Sequence, residues 1–391
     1  MDIEKIQSAL KERNLNGWLL CDFHNRDLIS YRITGIGPHK FTSRRWFYFI
    51  PADGEPVKLV SKVENTKLDN LPGEKILYLS WSELHEKLTL ILKGKGKVAM
   101  QYSPMNNIPY VSIIDAGLME VIRQSEIEVV SSADLITIFE ATISPEGYRK
   151  HKKAAAHLYQ IVRECFKKIA KSAKGGGKEN EYTIQQFILK EFKKRGLHWD
   201  DPPIVGVNEH PADPHFETAK ERALKFKQGD AVLIDLWARM DDEKGIFADI
   251  TWCAYIGKNP PSEYLKAFET IVEARDAGVN FIKEKMSAGE KVYGYEVDDV
   301  VRGVVSRKGF GDYFIHRTGH SIGFVVHGNG PNIDNLETKD ERELLPGVCF
   351  SIEPGIYIEG KFGVRTEINV FIHNDRTVEV TTKPQQKLLL L

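Results

Sequence analysis

Two stretches of this chain set acidic residues inside otherwise apolar strand patterns, and few arrangements tolerate that. The run Val232-Leu233-Ile234-Asp235-Leu236-Trp237 and the run Ile246-Phe247-Ala248-Asp249-Ile250-Thr251-Trp252 flank the turn-like Asp241-Asp242-Glu243-Lys244-Gly245. This spacing predicts an antiparallel hairpin. A register centred on Asp242 would put Asp235 directly across from Asp249 on one face. The construction repeats in Cys349-Phe350-Ser351-Ile352-Glu353-Pro354-Gly355-Ile356-Tyr357 and Val364-Arg365-Thr366-Glu367-Ile368-Asn369-Val370. With Glu359-Gly360-Lys361 as its turn and Gly360 at the centre, Glu353 faces Glu367. Carboxylates opposed among apolar side chains repel one another and lose hydration, so a cation is expected between them. A salt bridge to Arg365 would account for one such pair standing alone; two pairs in one region point to a common centre.

Between the two patterns lies His316-Arg317-Thr318-Gly319-His320-Ser321-Ile322-Gly323, followed by Val325-Val326-His327-Gly328-Asn329-Gly330-Pro331. One imidazole added to four carboxylates makes a nitrogen and oxygen ligand set suited to Mn, Co, Zn or Fe, and unsuited to copper(I) or iron–sulfur chemistry. That many charges exceed what a single catalytic zinc needs but match two ions sharing carboxylates. The metal-ligand set read from the residues is Asp235, Asp249, His320, Glu353 and Glu367, with glycines beside His320 permitting close backbone approach. The turn-rich loop Gly206 to Phe216 holds His210 and His215 upstream of the first hairpin, where a side chain can be held over a pocket. His210 reads as incidental.

With 391 residues the chain should form two or three domains. Residues 1–143 alternate helices and short strands, an α/β pattern with candidate strands at Trp18–Cys21, Trp46–Ile50, Val57–Val60, Ile76–Leu79, Val98–Gln101 and Ile127–Val130. No motif of known chemistry falls there. Ser144-Pro145-Glu146 marks a helix start that opens the second domain, 144–391, with the helix running to about Ala173. Thr183 and Gln186 predict a capping box for the next helix, ending near Gly196. A net charge of -1 argues against a nucleic-acid footprint or a polybasic membrane surface. The four cysteines, Cys21, Cys165, Cys253 and Cys349, form no CxxC pair, which fits a reducing compartment and a cytoplasmic protein. The opening residues carry no signal-like apolar region, and no apolar run approaches the roughly 18 residues of a membrane span. Leu388 to Leu391 should pack against the body or a partner chain.

Taken together, these residues resemble the metallopeptidase family of methionine aminopeptidase, aminopeptidase P, prolidase and the metal-free creatinases. The resemblance covers nearly the whole chain and implies a creatinase-type α/β amino-terminal domain followed by a pseudo-symmetric "pita-bread" domain. The family's ligand order Asp, Asp, His, Glu, Glu falls on Asp235, Asp249, His320, Glu353 and Glu367. It further implies catalytic roles for Glu353, His215 and His327, and substrate binding by His316 and Arg365. The implied activity is hydrolysis of the Xaa-Pro bond of short peptides by a hydroxide between two divalent ions, as a dipeptidase or, alternatively, as an aminopeptidase P on longer peptides. A homodimer is implied as well. A non-enzymatic peptidase-like binding module is the other class, and it has no reason to keep two opposed acid pairs. The chain departs from the family pattern at Trp237 and Trp252, where glycine and arginine are usual, at the longer turn Asp241–Gly245, and at His327-Gly328-Asn329-Gly330. The two indoles and the longer turn are expected to reshape the mouth of the pocket.

Overall fold

The computed structural model describes residues 1–37 and 41–391, which divide into two compact units, Met1–Glu140 and Ala141–Leu391. The first unit runs α1 (Ile3–Glu12), β1 (Gly17–Asp22), α2 (Leu28–Thr34), β2 (Trp46–Pro51), β3 (Val57–Ser61), β4 (Glu74–Tyr78), α3 (Trp81–Leu92), β5 (Lys97–Met100), α4 (Ala116–Arg123), β6 (Glu128–Ser131) and the short α5 (Ala133–Ile136). Its six strands form one sheet in the order β4-β3-β2-β1-β5-β6. Both faces are buried, and the period-2 alternation of strand side chains divides them. Trp18, Leu20, Trp46, Tyr48 and Ile50 join one core with Ile6 and Leu10 of α1 and Ile29 of α2. Leu19, Phe47, Phe49 and Leu59 point the other way, onto Leu84, Leu88 and Leu92 of α3 and Ile122 of α4. Asp2, Ser80 and Asp115 cap α1, α3 and α4 by accepting from backbone amides of their first turns.

The second unit opens with α6 (Pro145–Lys174), where Ser144 accepts from the Gly147 amide and Pro145 takes the first helical position. The following α7 (Glu181–Lys194) starts three residues before the expected capping box. Asn180, not Thr183, is the cap: its side chain accepts from Thr183 N–H while the Thr183 hydroxyl accepts from Asn180 N–H. An amide side chain here competes well with a hydroxyl, and Thr183 serves as the returning partner.

Beneath these helices lie β7 (Leu197–His198), β8 (Ile204–Val207), β9 (Ala231–Met240) and β10 (Ala248–Tyr255). Leu158, Ile161, Val162 and Phe166 of α6 pack on Val232, Ile234, Leu236 and Ile250. The hairpin β9–β10 forms, but its register differs from the expected one. Trp237, not Asp235, faces Asp249, and Asp235 faces Thr251. The reason lies in the connection: Gly245 N–H closes on the Asp242 carbonyl at 2.9 Å, so the turn centres beyond Asp242. The two acids stay on one face as diagonal neighbours.

Next come α8 (Ser262–Ser287), α9 (Gly294–Arg307), β11 (Ser321–Ile322), β12 (Cys349–Ile352), β13 (Gly355–Ile358), β14 (Phe362–Arg365), β15 (Ile368–Ile372), β16 (Val378–Val380) and β17 (Leu389–Leu390). Ile271 and Ala274 of α8 and Val301 of α9 cover Phe350, Ile352, Ile368 and Val370, so this half repeats the first: two helices over a sheet with an acid-bearing pair. The register centred on Gly360 holds in both ladders, with Ile352 opposite Ile368 and Gly355 opposite Arg365. Glu353 and Glu367 sit at the break between those ladders, where each strand changes partner: Glu353 N–H donates to Thr318 and Glu367 N–H to Thr251. Gly360 takes φ +69° at the tip, a left-handed conformation suited to glycine. The apolar end of the chain packs on its own body: β17 pairs in parallel with β10 at Ala254 and Tyr255.

His151 of α6 shows how helix and sheets are joined. Its ring is buried, with Nδ1 at 2.6 Å from the Phe247 carbonyl and Nε2 at 2.7 Å from the Thr381 hydroxyl. Burial pushes its pKa down to about 4 from 6.5. The unfolded chain therefore binds a proton there that the folded chain refuses, and stability contributed by neutral His151 is lost as pH falls from 6.5 to about 4. The loss attributable to this residue is on the order of 3 kcal/mol. Urea unfolding of His151→Gln across this window should show a shallower decline than the parent; equal slopes would refute the assignment.

Candidate metal centre

The acid-bearing strands of the two halves converge on one buried cluster. Among the described residues, Asp249, His320 and Glu367 offer ligand atoms that all lie within 4.8 Å of one another. Glu353 joins them, with Oε1 at 3.3 Å from His320 Nε2, and Asp249 Oδ2 lies 3.7 Å from the same nitrogen. Asp235 stands diagonally across the hairpin from Asp249, close enough for its charge to act on both Asp249 and Glu367.

Neighbouring groups fix these side chains. The Thr251 hydroxyl donates to Glu367 Oε2 at 2.9 Å, the Ser351 hydroxyl donates to Glu353 Oε1 at 2.9 Å, and the Asp249 amide donates to Asn369 Oδ1 at 2.9 Å. His320 Nδ1 lies 3.1 Å from the Ser321 carbonyl. A carbonyl can only accept, so Nδ1 carries the proton and the Nε2 lone pair faces the carboxylates. These supporting residues were not singled out from the sequence. A signal was present: Thr251 lies two residues beyond Asp249, Ser351 two before Glu353 and Asn369 two beyond Glu367, positions that share a strand face.

The electrostatics point to a missing positive charge. Asp235 Oδ1, Asp249 Oδ1 and Glu367 Oε1 are buried with no hydrogen-bond partner. Burial is the main cause that raises the pKa of each of these three acids, and the neighbouring carboxylates add to it. Burial also drives His320 down to about 3. A set of desolvated carboxylate oxygens without donors and a neutral imidazole nitrogen fits a divalent cation of the Mn, Co, Zn or Fe type.

Arg365 is the internal countercharge. Its Nη2 donates to Asp235 Oδ2 at 2.5 Å, Nε donates to the Thr251 hydroxyl at 3.1 Å, and Nη1 to the Tyr357 hydroxyl at 3.0 Å. Tyr357 lies 2.7 Å from His316 Nε2, and His316 Nδ1 lies 2.6 Å from the Arg317 carbonyl. Nδ1 is thus the protonated nitrogen, and Nε2 accepts from Tyr357. Burial first, then Arg365, pushes His316 to about 3, so it is neutral.

The rings of His327 and His320 meet edge to face, with centroids 4.4 Å apart, and the positive charge that His320 can carry is the main cause lowering His327 to about 3. His215 is exposed, and its charge also acts on His327. The loop that carries it is pinned on both sides. His210, the neighbour read as incidental, lies 2.7 Å from the buried Glu181 and stacks on Phe216, while the Pro214 carbonyl accepts from Arg365 Nη1 at 3.4 Å.

The departures at the hairpin resolve differently from one another. Trp252 is on the helix side of the sheet, its ring 5.4 Å from Tyr159, and so does not reach the acid face. This corrects the expectation that both indoles shape the pocket, because the odd–even alternation turns Trp252 away from Asp249. Trp237 shares the acid face and packs with Val326, next to His327, in a cluster around Phe247 and Ile322. In the longer turn, Asp242 binds Lys150 and Lys244 binds Glu146 at 2.7 Å, tying the insertion to α6.

Residues 149–374 match the model of metallopeptidase family M24. The chain belongs to metallopeptidase family M24. This M24 chain is 34% identical to the uncharacterized peptidase YqhT of Bacillus subtilis over 266 residues, 67% of this chain and 70% of that one. The match to other curated relatives is shorter, spanning 60% of one from Mycoplasma pneumoniae and 46% of one from Mycobacterium bovis. Its fold resembles dipeptidase PepE from Mycobacterium ulcerans, with TM-score 0.73 at 21% identity over 99% of this chain and 96% of that one. It likewise resembles the prolidase from Thermococcus sibiricus, with TM-score 0.67 at 24% identity over the whole of both chains. The expected two-domain creatinase and pita-bread architecture is therefore the architecture of this M24 protein.

The raised acids make a prediction about the metal-free protein. An acid whose folded pKa exceeds its unfolded value favours folding only while protonated, so stability should fall as pH rises above the ordinary values of 3.8 for Asp235 and Asp249 and 4.5 for Glu367. Thermal melts of chelator-stripped protein should show that decline, and added Mn or Zn at neutral pH should raise the midpoint. A midpoint at neutral pH that no divalent ion moves would exclude the metal centre.

Proposed function

We propose that this chain hydrolyses the Xaa-Pro bond of short peptides, with Xaa-Pro dipeptides as its preferred substrates. The observation that carries this reading is the meeting of Asp249, His320, Glu353 and Glu367, with Asp235 beside them, around carboxylate oxygens that lack donors. Membership in family M24 and the likeness to a prolidase and a dipeptidase support it.

Asp235, Asp249, His320, Glu353 and Glu367 would hold two divalent ions, which when bound supply a nucleophile from water at neutral pH and polarise the scissile carbonyl. Glu353 would take the proton of the attacking water; the Ser351 hydroxyl on its Oε1 fixes that carboxylate in place. His327 would donate to the carbonyl oxygen as charge grows there. A proline nitrogen has no N–H in the peptide and leaves as a secondary amine, so a proton must reach it; His215, on the pinned loop, would deliver that proton. Arg365 and His316 would bind the carboxylate of the proline. A bound carboxylate would favour protonation of His316, which burial and the Arg365 charge oppose. The homodimer expected from the family and a cytoplasmic location complete the reading. Cysteines that are all free support a reducing compartment, and no helix among the described residues is long and apolar enough to cross a membrane.

Protein reloaded with Mn, Co or Zn should cleave Xaa-Pro dipeptides faster than Xaa-Pro-led tetrapeptides. No cleavage of either rejects the peptidase reading, and a strong preference for the tetrapeptide makes it an aminopeptidase. Glu353→Gln should lower turnover by about 10²- to 10⁴-fold at saturating metal, whereas His327→Ala should lower turnover with metal content unchanged. Near-normal turnover in Glu353→Gln would reject the proton-acceptor role. Light scattering at micromolar concentration should report a dimer, and a fully active monomer would sink the assembly proposal.

A further inference from the structure

The amino-terminal unit contributes none of the residues above, yet it carries a cavity of about 720 Å³, within the range of roughly 300–1,000 Å³ usual for small-ligand sites. Its position follows from the sheet. Only β2 runs antiparallel to its neighbours, so β1, β3, β4, β5 and β6 end on the same side. After β1 the chain lays β2, β3 and β4 on one flank and then returns to lay β5 and β6 on the other. The cavity lies at the carboxyl ends of these strands, lined by Asp22 after Cys21 of β1, by Tyr78 of β4 and by Met100 of β5. A crevice outside the carboxyl ends, at a reversal of strand order, is where open α/β sheets take up ligands.

The chemistry of the lining narrows the ligand. Arg26, Arg44 and Arg45 all line the cavity, and among the described residues no ion pair joins any of them to a carboxylate. Arg26 lies over the Phe23 ring at 5.4 Å, and Arg44 donates to the Ser43 carbonyl and hydroxyl. The acids of the same wall are hydrogen-bonded to neutral donors and, among the described residues, form no ion pair with these arginines. Asp22 accepts from the Asn25 and Asp27 amides and the Tyr31 hydroxyl; Asp27 accepts from Ser30 and Gln101; Asp115 caps α4. Burial raises Asp27 to about 6. The floor between these groups is apolar, formed by Phe47, Met100 and Ile113. Trp81 lines the same cavity and is 70% exposed, an unusual state for an indole.

We propose that this cavity binds a small organic anion, a carboxylate or phosphate borne on a planar apolar body. The guanidiniums of Arg26, Arg44 and Arg45 take the anionic group in charge-assisted hydrogen bonds. Trp81 and the apolar floor receive the body.

Calorimetric titration of the full chain with phenyl phosphate and with phenylacetate tests this, with inorganic phosphate and benzyl alcohol as controls. The expected result is saturable binding of at least one aromatic anion with Kd below about 1 mM, and at least about tenfold weaker binding of both controls. The tighter of the two aromatic anions assigns phosphate or carboxylate chemistry. Arg26→Met with Arg45→Met should weaken binding at least about tenfold, and so should Trp81→Ala, in proteins with unchanged circular dichroism. Anions held at the metal centre would be indifferent to these substitutions, so an affinity unmoved in both folded variants overturns the proposal. So does saturation by neither aromatic anion, or equal affinity for inorganic phosphate. Should the double arginine variant fail to fold, Trp81→Ala decides alone.

Discussion

The second unit is organised around a repulsion. Three buried carboxylates and an imidazole, with the partly exposed Glu353 beside them, gather at the meeting of two half-sheets, where their mutual charge opposes the packing that carries them there. The helices on each half bury the apolar backs of the same strands, and that burial is what can hold the acids together. Arg365 relieves part of the repulsion from inside, Thr251 and Ser351 orient Glu367 and Glu353, and Asn369 holds the backbone at Asp249. The carboxylate oxygens without donors are the portion the protein leaves for a cation.

Much of this was legible because acids in apolar strands contradict the usual pattern, and a contradiction is informative. The pairs Asp235 with Asp249 and Glu353 with Glu367 stand out for that reason, as does His320 among its glycines. The pairing of Asp235 with Asp249 was less legible. A strand register depends on how the turn closes, and the Asp242-to-Gly245 hydrogen bond is invisible in a hydropathy pattern. Both readings keep the acids on one face, so the error moved a partner without taking an acid off that face.

The helix start at Asn180 was missed for a similar reason. Thr183 and Gln186 fit the Ser/Thr-x-x-Glu/Gln form of the capping box, whereas Asn180 and Thr183 share only its spacing and use a hydroxyl as the returning acceptor. Tyr357 was missed although the register centred on Gly360 sets it diagonally from Arg365 on one hairpin face; its contact with His316, far away in sequence, is the part that spacing does not relate. The alternation of strand side chains could have placed Trp252 on the helix side and Trp237 with the acids.

Glu353 and Glu367 lie where two ladders of identical register meet, and Asp235 and Asp249 are held from outside their own hairpin by β8 and by Asn369. The positions of all four acids are therefore supported by contacts outside the turns that join their strands, wherever the turn keeps the register. The stretch Asp241–Gly245 leans on α6 through Lys150 and Glu146, away from the acids. Loop tips on both hairpins are thus free to drift in length over evolution, or to accept inserted sequence by design, while the geometry beneath them is inherited unchanged.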